Sequence, residues 1–234
     1  MPPNVGTTLV AKPLCIIQNK KIQMRILFPI IFICLTICSC SKKTTQINTI
    51  EVEPKGEYSK IKVEDQNSIL EDLNSTIIEK QDQAAAKILK NPNNFSPPVL
   101  YSLSNYLFGK DEKYKAAFWF YTGQLRARYD ANRCADKTAG QAVSILNENF
   151  GYQINEYGFA DLSNLEKIVG EVIEFVKNNE ELYDNQWINL HGMGVFLNED
   201  KQLSKPKNEW QDIKNKTIED YYSGFKDAII SMKK

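Results

Sequence analysis

The chemistry most available at neutral pH belongs to thiols and imidazoles, and beyond residue 40 this chain has one of each, Cys134 and His191. Cys134 follows Arg133 and lies near Lys137. Neighbouring cations lower a thiol's pKa and raise its thiolate fraction. Joined to His191, it would make a Cys–His couple of the kind hydrolases use. No nucleophile signature surrounds Cys134, and an inert thiol is the plainer reading. A second cluster is Arg126, Arg128 and Arg133 with Asp130. Arg126 and Arg133 fall on one helical face, with Tyr129 between them. Guanidinium forks so placed could clamp a carboxylate or phosphate. The structural alternative is an ion-paired helix end, where cations suit the macrodipole. Trp187 lies one helical turn before His191, ahead of Gly192 and Gly194, which suggests a binding loop. The run His-Gly-Met-Gly lacks the spacing and the Lys-Ser/Thr of a phosphate loop. The candidate binding surface is therefore Trp119, Arg126, Arg128, Tyr129, Arg133, Trp187 and His191. Trp210, Tyr221 and Tyr222 are further aromatic candidates. Glu171 and Glu174 read as a solvated helix face.

Before residue 41 the chemistry is of another kind. From Met24 the chain reads MRILFPIIFICLTICSC, with Arg25, Lys20 and Lys21 as a positive flank and Thr36 as the one polar residue from Ile26 to Cys38. A spanning helix needs ~20 apolar residues, and this run is shorter. Pro29 further disfavours a long straight helix. A short apolar run with a positive flank and small residues at its end is the pattern of a secretory signal. Its end resembles the lipobox of bacterial lipoproteins, in which a cysteine becomes diacylated. Two registers compete. With Cys38 as acceptor, Leu35 and Thr36 fit but the branched Ile37 stands at −1. With Cys40, Ser39 fits −1, and this register is the one expected. Ser41 rather than Asp at +2 implies, by resemblance to enterobacterial lipoproteins, the outer membrane, facing the periplasm. An ordinary signal peptide and a retained single-span anchor are the alternatives. Residues 1–23 carry no coherent signal, and Met24 is the expected start. Removal of Cys15, Cys34 and Cys38 and lipidation of Cys40 would leave Cys134 alone. That excludes a disulfide within one mature chain, and one Cys with one His cannot make a four-ligand zinc site. No metal or cofactor is expected.

Charge points the same way. Residues 1–40 hold four of the 29 cations and none of the 29 acids, so residues 41–234 carry 25 cations against 29 acids, a net charge of −4. No basic stripe is visible, so nucleic acid is not an expected partner. An apolar content of 42% is ample for a core in a chain of 234 residues.

The elements that must position these groups read as helices. Residues 40–64, polar and containing Pro54 and Gly56, are expected as a lipidated flexible tether, and residues 65–234 as a single α-helical domain. Ile69, Leu70, Leu73, Ile77, Ala84, Ile88 and Leu89 outline one helix ending near Asn91. Leu100, Leu103 and Leu107 share a face, closed by Gly109. Tyr114, Phe118, Tyr121 and Leu125 form one stripe of the next helix, and Ala116, Phe120, Gly123 and Ala127 another. A helix apolar on two sides packs between neighbours. Ala139 to Phe150 predicts a helix stopped at Gly151. Ser163 and Glu166 predict a capping box ahead of the stripe from Leu165 to Val176. Residues 178–209 are turn-rich. A last helix from about Trp210 to Met232 is expected to turn Ile213, Thr217, Tyr221, Gly224, Ala228 and Met232 inward. The fold class is mainly α, built of antiparallel helical hairpins.

Leu100 to Arg128 resembles one unit of the Sel1-like repeats, relatives of tetratricopeptide repeats. Leu103 and Tyr106 match the first helix, Gly109 the turn, Lys115-Ala116 the second start, and Trp119 with Tyr121 the aromatic pair. The turn is shorter than in that family, Phe120 interrupts the pair, and no second copy is found. The resemblance implies protein binding. The leading expectation is a lipid-anchored envelope protein that binds another protein, one version being an immunity-type lipoprotein that neutralises a periplasmic toxin. An envelope-assembly scaffold is the second expectation, and a hydrolase built on Cys134 and His191 the third.

Overall fold

The computed structural model describes residues 9–11, 50–197 and 202–233. The apolar run from Met24 and the expected lipid acceptor Cys40 lie outside them. The protein is mainly α. A short parallel pair, β1 (Leu9–Ala11) and β2 (Ile50–Val52), precedes the helices, with Leu9 opposite Ile50. The helices are α1 (Glu64–Leu73), α2 (Ile78–Lys90), α3 (Pro97–Gly109), α4 (Lys113–Arg133), α5 (Gln141–Ala160), α6 (Leu162–Asn178), the single turn α7 (Gly194–Leu197) and α8 (Trp210–Met232). No helix among the described residues is long and apolar enough to cross a membrane.

Helix α4 is the axis. It touches α3, α5, α6 and α8, as its two apolar stripes require. A three-residue turn joins it to α3, so the pair forms a helical hairpin. The left-handed residue of that turn is Asp111, at φ 63°, rather than Gly109, which is the last helical residue. A short polar side chain is among the few that tolerate this conformation. Tyr101 of α3 stands edge-on to Phe120 of α4 at 5.1 Å and reaches Phe150 of α5 at 5.8 Å. On the other side, Phe118 and Trp119 meet Phe175 of α6 at 5.6 and 5.5 Å. The six apolar residues of the α6 stripe, from Leu165 to Val176, are all buried as expected.

Several expectations are corrected. The tether ends sooner: Tyr58, in a short 3-10 helix over Gly56–Lys60, and Ile61 and Val63 just after it are buried in the core, so the chain is held from there on by apolar burial. The helix expected from Ile69 to Asn91 is two. Asn74 donates its amide to the Leu70 carbonyl at 2.7 Å and Ser75 accepts from the Ile77 amide at 3.1 Å, which closes one helix and turns the chain before the next. Gly151 does not stop α5. It lies mid-helix under the Phe120 ring, where a Cβ would stand 3.3 Å from it. The cap of α6 is Asp161, whose carboxylate accepts from the Asn164 amide at 3.0 Å, and Ser163 lies inside the helix. The inward face of α8 is also rotated. Lys214, Thr217, Ile218, Tyr221 and Ile229 are buried, whereas Gly224, Ala228 and Met232 are exposed.

Gly123 marks the closest approach of α3 and α4. A Cβ there would meet the Tyr101 ring at 3.1 Å, Leu100 Cβ at 3.3 Å and the Pro97 carbonyl at 3.4 Å. Gly224 faces open space. Gly123→Val is expected to lose about 1–3 kcal/mol through overpacking, and Gly224→Ala to gain up to about 1 kcal/mol from helix propensity. Urea unfolding of the two variants measures the contrast, and the opposite order would contradict the packing described.

Candidate binding groove

The arginine cluster on α4 points inward. Asp130 is fully buried, and both its oxygens are occupied. Arg133 donates from Nε at 3.1 Å and Nη2 at 2.5 Å to Oδ1. Tyr183 donates to Oδ2 at 2.9 Å and the Trp187 indole N–H at 2.7 Å. Burial pushes the Asp130 carboxyl up, and Arg133 and Trp187 oppose it. Burial works against the Arg133 charge, but Asp130 and the nearby tyrosines hold it above its ordinary value. The Arg133 guanidinium lies between the rings of Tyr129 at 4.2 Å and Trp210 at 4.8 Å.

Arg126 is buried as completely. Its Nη2 donates to Asn93 Oδ1 at 2.6 Å and its Nη1 to the Pro92 carbonyl at 3.4 Å. Its Nε stands 3.9 Å from Glu181, whose carboxylate in turn pairs with Lys214 of α8 at 3.2 Å. Thus the two arginines do not form the expected clamp: Arg133 holds the chain's own Asp130, while Arg126 turns to Asn93, Pro92 and Glu181. Arg126, Arg133, Tyr129, Trp119 and Trp187 are interior residues and present no binding face. Trp119 packs on Phe175 of α6, and the other four join α4 to α8 and to the segments around residues 92–93 and 179–191.

Cys134 and His191 are not assembled as a couple. Cys134 donates its thiol proton to Asn189 Oδ1 at 3.1 Å, and burial raises its pKa to about 11. No hydrogen bond joins it to His191 among the described residues. A thiol so held is a poor nucleophile. The His191 ring stands against Trp187 at 5.7 Å, as the one-turn spacing suggested, and burial lowers its pKa to about 4. The loop after it is tied down: Asp136 accepts from the Gly194 amide and Thr138 from the Met193 amide, both at 2.8 Å. Among the described residues no group of three or more His, Cys, Asp or Glu could hold a metal ion.

One predicted site residue does reach an accessible recess. Arg128 is exposed and lies over the Tyr221 ring at 5.4 Å. The recesses run along both flanks of α8. Toward α6, a cavity of about 610 Å³ has Ile173, Ile218 and Tyr222 as its apolar walls and Glu174, Lys177 and Glu219 as its charged rim. Toward α5 lie two smaller chambers of about 430 and 390 Å³ that share Arg128, Asp220 and Tyr221. Of the further aromatics, Tyr222 is exposed, Tyr221 is buried, and Trp210 is half-buried with its N–H on the Lys205 carbonyl at 2.8 Å. Asp130 as the hub, Glu181, Lys214 and both grooves were missed from sequence. Asp130 had a local signal, an acid one turn from each of two arginines. Lys214 had none, being far from α4 along the chain.

Comparison of the chain with protein-family models, with curated proteins and with solved structures finds no match.

Two measurements test the interior described. Asp130→Asn leaves Arg133 buried without its counter-charge and is expected to cost about 3–5 kcal/mol in urea unfolding. The double change Asp130→Asn with Arg133→Met should recover part of that loss. For His191 the folded pKa of about 4 lies below the ordinary 6.5. The unfolded chain therefore binds the proton more tightly, and the stability carried by neutral His191 is present above pH 6.5 and lost as pH falls toward 4. The loss is at most about 3 kcal/mol. His191→Gln should flatten stability against pH across that window. An unchanged slope would mean that the ring is not enclosed.

Proposed function

We propose that the protein is a lipid-anchored component of the bacterial cell envelope that acts by binding another protein. Two features support this. The first is the sequence from Met24 to Cys40, with its short apolar run and lipobox-like end. The second carries the reading: the recess between α6 and α8, floored by Ile173, Ile218 and Tyr222 and edged by charge. Apolar floors with polar rims are the form of helix-in-groove and loop-in-groove recognition. An exposed tyrosine at such a site is a typical anchor residue. Cleavage before Cys40 would remove Leu9–Ala11 and leave Ile50–Val52 without its partner strand. The concrete version is an immunity-type protein, held at the outer membrane where it meets a periplasmic toxin.

Metabolic labelling with an alkyne palmitate analogue tests the anchor. The native chain should take label and Cys40→Ala should not. Label retained by Cys40→Ala and lost from Cys38→Ala would move the acceptor, and no label at all would remove the anchor. Gly170 lines the recess and a Cβ there meets nothing within 4 Å, so Gly170→Trp should fill the groove while preserving Tm. A deletion strain should become sensitive to an effector secreted by the same or a related strain, and Gly170→Trp should fail to restore protection. Full resistance of the deletion strain to every such effector would sink the immunity version, and envelope leakage in its place would favour a scaffold.

A further inference from the structure

The two chambers on the α5 flank of α8 differ in character and meet at one cation. The chamber of about 430 Å³ is walled by polar side chains, Asn132, Ser144, Asn147 and Thr217. The chamber of about 390 Å³ is walled mainly by Tyr121, Phe159, Phe225, Ile229 and Met232. Arg128, Asp220 and Tyr221 belong to both. We infer that this joined site binds a single-chain anionic amphiphile, with a carboxylate or phosphate head at Arg128 and a hydrocarbon chain along the C-terminal half of α8.

Arg126 and Arg133 are consumed by internal contacts, whereas Arg128 makes no ion pair among the described residues. Asp220 is the one carboxylate lining either chamber, and both its oxygens accept from Lys216 at 2.9 Å. The guanidinium is therefore open to an outside anion, and it is placed by stacking on Tyr221 at 5.4 Å. Tyr221 is itself fixed, donating to Gln124 at 2.8 Å, and Gln124 donates to Asn147 at 2.8 Å. A charged fork on a rigid polar wall is a preorganised anion site.

Beyond Arg128 and Asp220, the side-chain amides of the second chamber are Gln124 and Asn155. Gln124 is bound to Tyr221 and Asn147, and Asn155 accepts from Tyr121 at 3.1 Å. A peptide backbone laid along these apolar walls would lose water and find too few partners for its N–H and C=O groups. A hydrocarbon chain carries no such cost, and it would cover the exposed rings and thioether of Phe159 and Met232. Each chamber lies within the usual ~300–1,000 Å³ of small-ligand sites.

Photo-crosslinking of the full chain in isolated membranes tests this. Three diazirine-bearing probes of equal chain length are compared, a fatty acid, an alkyl phosphate and a fatty alcohol. The acid or the phosphate should label peptides containing Phe159 and residues 225–232, about tenfold or more above the alcohol, as expected for a charge-assisted contact. The stronger of the two anions identifies the head group. Arg128→Gln should remove about the same factor. Gly224→Leu, at a position with open space, and Phe159→Asp, at an exposed side chain, should block labelling while thermal unfolding stays cooperative. Equal labelling by the alcohol, labelling confined to other peptides, or an unchanged Arg128→Gln variant would overturn the inference.

Discussion

The Asp130 carboxylate is fully buried on the inner side of α4, and the rest of the fold is arranged around keeping it satisfied. An ion taken from water into a protein interior costs several kcal/mol unless partners replace its hydration. Here the replacements are three side chains: Arg133 on α4 itself, and Tyr183 and Trp187 from the turn-rich segment after α6. Between residues 179 and 191 its regular structure is one short 3-10 helix, Asn185–His191, which carries Trp187. Its position is set by donors that must reach one carboxylate. Trp210, at the start of α8, then covers the Arg133 guanidinium, so the same centre also fixes where the last helix begins.

A second buried group extends this centre. Arg126 and Lys214 both approach Glu181, which joins α4 to α8 through the loop between α6 and α7. With its first half held by charge and its middle by Ile218 and Tyr221, α8 lies along α4 without filling the space on either flank. The grooves are a consequence of that seating. Polar contacts fix the axis of α8, and the small or outward residues Gly224 and Ala228 leave room beside it. The candidate binding features of the protein thus line the flanks of the helix that interior electrostatics places.

Legibility from sequence followed the range of the interactions. The stripe of α6 and the double stripe of α4 were readable because period-3.6 burial is written locally. The break between α1 and α2 was not, because Ile77 and Leu89 continued the apolar pattern although both are exposed. Gly151 looked like a stop because glycine weakens a helix; only the Phe120 ring above it explains why it is needed mid-helix. The arginines were singled out correctly as a charge cluster, but their direction was not legible. Residue type states that a guanidinium can grip a carboxylate and leaves open whether that carboxylate is a ligand's or the chain's own.

By itself the sequence determined that the folded part is mainly α, that α4 packs between neighbours, and that the chain past Cys40 has a single thiol. These follow from composition and from periodicities spanning a few turns. The tertiary structure alone decided that Arg126, Arg133 and Trp187 are interior while Arg128 faces an open recess, and that Cys134 and His191 do not form a couple. Those outcomes depend on which distant segments meet. The partners of Asp130 on the 179–191 segment lie more than 50 residues away along the chain. No local pattern encodes a contact whose free energy comes from desolvation shared among groups so far apart.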